Sequence, residues 1–450
     1  MSASSEEQTH EGGLEAPSRH PLDWHNPDFY DEGALFAELE RVFDVCNGCR
    51  RCFSLCHAFP TLFDAIDDSE DGDVEGLERT VHWQVVEHCY LCDVCYLIKC
   101  PYIAPHPLEL DFPHLMLRAK VVKFRKGGTR LRDRLITRTD LVGKFASIPV
   151  VSALVNTVNC SATGRKLLDN ALEIHPDAVL PRYHSNTLAH RLRKHSAPAS
   201  MEVRPGTTNK GKVILFGTCY GNYNEPTVGE DLVKVFEHNG IPVQFMEDSR
   251  CCGMPKLELG DLIGVVAAKE YNIPRLAALV DAGWDIVAPI PSCVLMFKQE
   301  LPLMFPDDPE VAKVKTAMFD PFEYLMLRHK DKLLNTDFKK PLGKVAYHIP
   351  CHLRVQNLGL KTRDCLMLVP HTDVEVVERC SGHDGTYAIK REFHEISMKI
   401  ARPLISRVAK LEADWYGSDC PMAGCQIEKG LGGGKPPVAP ITLLRMAYGL

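Results

Sequence analysis

Cys46-Asn-Gly-Cys49-Arg-Arg-Cys52-Phe-Ser-Leu-Cys56 and Cys89-Tyr-Leu-Cys92-Asp-Val-Cys95-Tyr-Leu-Ile-Lys-Cys100-Pro101 hold eight cysteines in two runs of four. Each run opens with two successive two-residue gaps. Thiolate is soft and anionic, and it suits iron bridged by sulfide. Three cysteines at this spacing and then a fourth is the ligand pattern of a chain holding two [4Fe–4S] clusters. In that pattern the fourth cysteine of each run reaches the other cluster. The expected sets are therefore Cys46, Cys49, Cys52 and Cys100 for one cluster, and Cys89, Cys92, Cys95 and Cys56 for the other. A single C-x2-C pair would suit zinc or a redox dithiol as well, but zinc sites use cysteines in pairs, not threes. Two departures stand out: four residues, not three, precede Cys100, and His57 follows Cys56 where the second run has Pro101.

Outward from this stretch, residues 1–32 are polar and acidic and read as a disordered tail, with His10, His20 and His25 as solvated side chains. Residues 33–45 place apolar side chains at helical spacing and lead into Cys46. The span 33–125 is thus expected to be an all-α, two-cluster, ferredoxin-like domain. Between the runs, 64–78 is an acidic loop that reads as solvated surface or as a face for a redox partner. Beyond Pro101 a proline-rich segment is extended. A basic stretch from Arg118 to Arg138 follows, read as a solvated helix face or as a contact for anionic lipid or an acidic partner. Residues 126–210 read as a helical connector. In it, 146–155 is the longest apolar run; it falls short of the roughly 18 residues that span a bilayer and reads as a packed helix.

At 450 residues the chain has room for several domains and a full core. Apolar residues at 45% and charged residues at 25% are ordinary for a globular protein. A formal charge of −7 leaves no footprint for nucleic acid. Eighteen cysteines would suit a secreted disulfide scaffold, but the N-terminus lacks an apolar signal core, so reduced thiols in the cytoplasm are expected. No G-x-G-x-x-G follows a strand, so no flavin or NAD site is expected in this chain. The Gly-rich 430–436 lacks the Ser/Thr of a phosphate loop.

From Lys212 the pattern changes to short β-runs alternating with helices, and it occurs twice. Strands are expected at 212–217, 243–245 and 285–290, then at 344–349, 374–377 and 414–417. Cysteines stand just past the strand ends, where α/β units gather ligands. The first repeat, 211–330, offers Cys219, then Cys251-Cys252-Gly253, then Cys293. The second, 331–450, offers Cys351, then Cys380-Ser381-Gly382, then Cys420 and Cys425. Gly253 is expected to let the backbone turn tightly beneath the paired cysteines. Cys160 and Cys365 fit no pattern and read as core residues. His348 and His352 flank Cys351 and read as hydrogen-bonding partners of a bound centre.

Ferredoxin-type runs followed by two Cys-Cys-Gly repeats resemble the heterodisulfide-reductase-related iron–sulfur (CCG domain) proteins, and among them the glycerol-3-phosphate dehydrogenase type. The resemblance extends to 139–143, 167–171, 180–183, 347–352, 385–387, 426–428 and 440–443. It implies an α + α/β chain: the ferredoxin-like domain, then a tandem α/β Cys-rich domain. It implies two [4Fe–4S] clusters, with one or two further iron–sulfur clusters in the repeats. Cys219, Cys251, Cys252 and Cys293 would serve the first, and Cys351, Cys380, Cys420 and Cys425 the second. The implied function is an electron-transfer subunit of an oxidoreductase. Serial one-electron hops would join a flavoprotein dehydrogenase partner to an acceptor such as the quinone pool, on the cytoplasmic face of a membrane. Two alternatives stand beside it: a reductase of a rubrerythrin-like partner or of a disulfide, and a non-catalytic zinc-binding interaction protein. This sequence departs from the family pattern in three places: Met296 stands in the last ligand place of the first repeat, Ser381 in the second pair, and C-x4-C closes the chain.

Overall fold

The computed structural model describes residues 18–450, so the part of the expected tail at 1–17 lies outside the described residues. The chain divides into two compact units, one ending at Lys126 and the other covering Gly127–Leu450.

The first unit is helical. Its main helices are Glu32–Cys49, Ala58–Asp67, Arg79–His88 and Phe112–Arg125. In the first of these, Leu35, Leu39, Val42 and Phe43 recur at helical spacing and are buried. The Asp31 carboxylate starts it by accepting the Ala34 N–H at 2.7 Å. Arg50, at φ 50°, ends it just after Cys49. From residue 18 the chain is not a free tail. Arg19 forms ion pairs with Asp93 at 2.6 Å and Asp111 at 2.7 Å, and its own side chain is only 7% exposed. The Tyr96 hydroxyl donates to the Ser18 carbonyl. The sequence expectation fails here because the partners of this arginine lie more than seventy residues downstream.

The second unit carries two parallel sheets. In the first, strands β1 (Val213–Leu215), β2 (Val243–Phe245), β3 (Asp285–Val287) and β4 (Met318–Phe319) lie in the order β2-β1-β3-β4. In the second, β5 (Gly343–His348), β6 (Thr372–Val377) and β7 (Trp415–Ser418) lie in the order β6-β5-β7. In each sheet the first strand is thus central, with the second and third on either side, and every pairing is parallel. Strand β4, only two residues long, has no signal in the sequence. One apolar core spans both repeats, from Val213, Leu232 and Phe236 to Val345, Leu366 and Leu444. Each such fully buried side chain contributes about 1.5–3 kcal/mol. The last helix, Pro440–Tyr448, ties the second repeat to the first. Thr442 donates to Asp231 at 2.7 Å, and the Asn239 amide donates to the Tyr448 hydroxyl at 3.3 Å.

The connector belongs to this second unit, but it differs from the packed helix read at 146–155. In the helix Pro149–Cys160 only Ser152 is buried, while Val150 and Leu154 point outward. Cys160, expected in the core, is exposed for the same reason, whereas Cys365 is buried as expected. Nor is the basic stretch one open surface. Arg118 donates to the carbonyls of Asp28 and Phe29, and Arg132 is buried.

Arg132 donates to both carboxylate oxygens of Glu392, at 2.6 and 2.9 Å. Burial works to raise the Glu392 carboxyl, but the bonds and charge of Arg132 hold it at about 2. A depressed folded pKa stabilises above the ordinary carboxylate value, and that stabilisation is lost as pH falls toward the folded value. Wild type should therefore unfold at a higher temperature than Glu392→Gln at pH 6, with the gap closing between about pH 4.5 and 2. A gap unchanged with pH on thermal melts would contradict this.

Candidate metal centre

In the first unit the helix Glu32–Cys49 places Cys46 and Cys49 in its last turn, three residues apart and so on one face. Burial pushes the Cys46 thiol up, and the charges of Cys100, Cys52 and Cys49 push it further. Cys52 is likewise raised, to about 12, by burial and then by Cys100 and Cys49. Cys95 is raised by burial and then chiefly by Cys89 and Cys56. Cys46, Cys49, Cys52 and Cys100 thus act on one another, while Cys95 feels Cys89, Cys56 and also Cys52, so the thiols of the two runs lie close together. Cys92 lies between Leu91 and Asp93, both at positive φ, so the chain bulges around it.

In the first repeat the thiols come from the ends of three adjacent strands. Cys219 opens the short helix after β1, Cys251-Cys252 follow β2, and Cys293 lies on the helix after β3. The Cys219 thiol donates to the Cys251 sulfur at 3.8 Å. Cys252 bonds to Cys251 and to Cys293, so the four sulfurs form a buried chain. Cys251 accepts from Cys219 and Cys252, and this holds its thiol well below the ordinary value. Donating to Cys251, and burial, hold Cys219 well above it. All four are free thiols. Gly253 takes φ +105°, a value that disfavours any side chain, and its Cα faces the Met296 methyl. Met296, in the last ligand place, is thus a buried packing residue of this site.

Two residues of this site escaped the sequence reading. The helix Thr139–Ala146 of the connector points its first turn at the paired cysteines. The Asp140 carboxylate accepts the Cys251 N–H at 2.7 Å. The Thr139 hydroxyl lies beside Cys219 and Cys251 and has no other partner. A buried hydroxyl whose neighbours are thiols alone fits a bound anionic iron–sulfur group that would accept its hydrogen bond. Gly143 permits the approach, since a Cβ there would stand 2.2 Å from the Tyr223 ring. Replacing Thr139 by Val or Asp140 by Asn should speed chelator-driven iron release by about 10–100-fold. Release at the wild-type rate would show that this helix is only a structural neighbour.

In the second repeat Cys351, Cys380 and Cys420 follow β5, β6 and β7. Cys380 accepts the Gly382 N–H at 3.3 Å. Cys420 is raised to about 11 by burial, against the pull of N–H groups from Ala423 and Met422. The Cys425 thiol sits one helical turn further on, raised to about 12 by burial and then by Glu225, Glu428 and Cys420. His348, expected to bond to a bound centre, instead bridges Ser418 at 3.0 Å and the Arg379 carbonyl at 2.9 Å, joining the loops that carry Cys420 and Cys380. His352 bonds Ser292 at 2.8 Å, which brings the Cys351 and Cys293 loops together. Two carboxylates, the buried Asp320 and the half-buried Asp419 next to Cys420, also escaped the sequence reading. Burial, with the charge of Asp419, raises Asp320 to about 8, and burial raises Asp419 to about 6.

Residues 213–298 and 345–428 each match the cysteine-rich domain CCG. Over 226 residues the chain is 33% identical to lactate utilization protein A of Bacillus cereus, covering 49% of this chain and 90% of that protein. The chain belongs to the CCG cysteine-rich family. This CCG protein is also 28% identical over 347 residues to a subunit of the anaerobic glycerol-3-phosphate dehydrogenase of Escherichia coli, covering 76% of this chain and 83% of that one. A Geobacillus kaustophilus lactate utilization protein A is 31% identical over 230 residues, covering 49% of this chain and 90% of that protein. The two CCG copies cover β1 to β3 of the first sheet and nearly all of the second, with the thiols at their strand ends.

Proposed function

We propose that this CCG protein is the iron–sulfur electron-transfer subunit of an oxidoreductase. Cys46, Cys49, Cys52 and Cys100 would hold one [4Fe–4S] cluster, and Cys89, Cys92, Cys95 and Cys56 a second. Cys219, Cys251, Cys252 and Cys293 would hold a centre in the first repeat, and Cys351, Cys380 and Cys420 would contribute to one in the second. One observation carries the reading: four free thiols from three strand ends, three of them buried and Cys219 half-buried, converge in one chain of S–H···S contacts. A single buried thiol is an ordinary core residue, but four that converge from three strand ends suit a metal, which they would bind as thiolates. Such clusters, when bound, supply one-electron redox chemistry. The protein's part is to bury the thiols, donate N–H and O–H groups to sulfur and keep water out.

The donor is a flavoprotein dehydrogenase. Likeness to proteins named for glycerol-3-phosphate dehydrogenase and for lactate utilization favours a small hydroxylated acid or phosphate ester as its substrate. The acceptor is the quinone pool. The test is anaerobic reduction of the purified protein by its flavoprotein, with glycerol 3-phosphate in one arm and lactate in the other. Bleaching of the visible absorbance in neither arm, or zinc without iron, would defeat the proposal. Cys252→Ala should remove one centre by iron and sulfide analysis, leaving about eight iron in the first unit if the second repeat is empty and more if it is filled.

Peripheral contact with a membrane rests on a separate observation. Leu141, Phe145, Val150 and Leu154 are exposed on two adjoining helices of the connector, and Ile148 in the turn between them. No single helix among the described residues is long and apolar enough to cross a bilayer; the bent pair Thr139–Ala146 and Pro149–Cys160 passes by length and composition only together, with a 106° bend. Such a face lies in an interface more readily than across it. Leu154→Glu with Phe145→Glu should abolish co-sedimentation with liposomes.

A further inference from the structure

Three cysteines of the second repeat stand at the ends of adjacent parallel strands, and the usual fourth thiol is missing. Ser381 replaces the second cysteine of the pair. Cys425, the remaining candidate, sits on the helix Pro421–Gly430, and the charged groups that act on it are Glu225, Glu428 and, of the thiols, Cys420. Another acidic side chain acts on the three strand-end sulfurs.

The Asp384 carboxylate lies 3.9 Å from the Cys380 sulfur. It is also the strongest charge acting on the Cys351 thiol and one of the charges acting on Cys420. One carboxylate thus stands beside the Cys380 sulfur, and its charge acts on the other two thiols, with Glu258 adding to it at Cys351. The loop that carries it is held on every side. Gly382, at φ +69°, packs so tightly that a Cβ would stand 2.2 Å from the Ser397 carbonyl oxygen, and Ser397 donates back to the Gly382 carbonyl at 2.6 Å. Gln426, on the Cys425 helix, holds the Ser397 hydroxyl at 3.0 Å. On the far side Gly385, at φ +55°, lies where a Cβ would meet the Glu258 carboxylate at 2.3 Å. Between these glycines Asp384 takes φ +36°, in the left-handed region that non-glycine residues enter seldom. Its own carbonyl accepts the Tyr387 N–H. Strained backbone, clamped so that a carboxylate meets the Cys380 sulfur, is an arrangement that surrounding structure must enforce. A carboxylate among half-buried thiols is otherwise costly, because like charges repel where water is scarce. A shared cation removes that cost.

We propose that Asp384 is the fourth ligand of the second-repeat centre, giving a set of three thiolates and one carboxylate oxygen, Cys351, Cys380, Cys420 and Asp384. Cys425 is outside this set. The inference rests on the second repeat holding a metal centre at all. A harder oxygen ligand makes one metal position chemically distinct from the other three and more readily exchanged. The set would accept either an iron–sulfur cluster or a single divalent ion; both need the same four ligands.

The test uses full-length protein purified without oxygen, with iron, zinc and acid-labile sulfide measured per chain and low-temperature EPR recorded after reduction. Asp384→Ala and Cys420→Ser are expected to lose the same metal, and Cys425→Ser and Ser381→Ala to keep it. Asp384→Cys should restore the metal with a shifted EPR signal. If Asp384→Ala does not fold, the isosteric Asp384→Asn serves in its place, with circular dichroism as the check. Iron lost together with sulfide marks a cluster, and zinc lost without sulfide a single ion; both support the ligand set. Metal kept in Asp384→Ala and Asp384→Asn but lost in Cys425→Ser or Ser381→Ala would overturn it. Metal unchanged in Cys420→Ser would show that the second centre does not exist. That outcome removes this inference and the second-repeat part of the proposed function, and leaves the first repeat to be judged by Cys252→Ala.

Discussion

Replacing Arg19 by Ala is expected to destabilise the first unit by about 3–5 kcal/mol, the cost of removing one partner from a buried ion pair. Arg19 donates from Nη1 to Asp93 at 2.6 Å and from Nε to Asp111 at 2.7 Å, and its guanidinium lies 4.7 Å from the centre of the Tyr96 ring. Asp93 is 3% exposed in its side chain and cannot turn to water. Without the arginine two carboxylates face each other in a dry setting. Burial works to raise the Asp111 carboxyl, and His114 and Arg19 together hold it down, so part of that support goes too. The consequence reaches the thiols, because Asp93 follows Cys92 and its charge acts on Cys95. Uncovered, that charge opposes the thiolate form at Cys95. The Arg19→Ala variant should melt earlier and lose iron from the first unit, while Arg19→Lys should keep part of both. Removing Asp93 and Arg19 together should cost less than removing Arg19 alone. A variant melting with wild type would show that the segment from residue 18 is not a structural part of this unit.

The second large effect concerns Gly382. Gly382→Ala should cost more than about 4 kcal/mol, in the range that only a named structural clash produces. The added methyl would sit 2.2 Å from a backbone oxygen of the 18-residue helix His394–Leu411, which cannot move aside as a side chain can. Its φ of +69° adds about 1–2 kcal/mol of backbone strain. Gly359 is the control. It has a similar φ of +78° with nothing within 4 Å of where a Cβ would stand, so Gly359→Ala should show the strain alone. At roughly 2–4 °C per kcal/mol, the control should melt a few degrees below wild type and Gly382→Ala about 10 °C or more below. Gly382→Ala should also release metal from the second repeat, because the same loop carries Cys380 and Asp384. Equal shifts in the two variants would mean that the Ser397 contact does not constrain the loop.

What could be read in advance followed the range of the interactions. The repeats were legible because their signals are local. Apolar runs such as Val213-Ile-Leu and Val345-Ala-Tyr are strands wherever they are buried, and the cysteines follow each strand end directly. The doubled pattern supplied the two parallel sheets. Strand β4 was not legible, because two residues carry no period. The connector's helices were expected, but their exposure was not: an apolar run reads alike whether it packs inward or faces a partner. Thr139, Asp140 and Arg19 were missed because each acts on residues far along the chain. Asp384 was missed because its spacing matches no ligand pattern.

By itself the sequence determined the residue types and their order: two runs of four cysteines, two α/β repeats with thiols past their strands, and no nucleotide fingerprint. These are properties of short segments, decided by backbone geometry and soft-ligand chemistry over a few residues. Tertiary structure alone decided which helix end meets the paired Cys251 and Cys252, which arginine covers Asp93, and which carboxylate acts on Cys351, Cys380 and Cys420. Those outcomes depend on burial. A hydrogen bond or charge counts for most where water is excluded, and only the folded chain shows where that is.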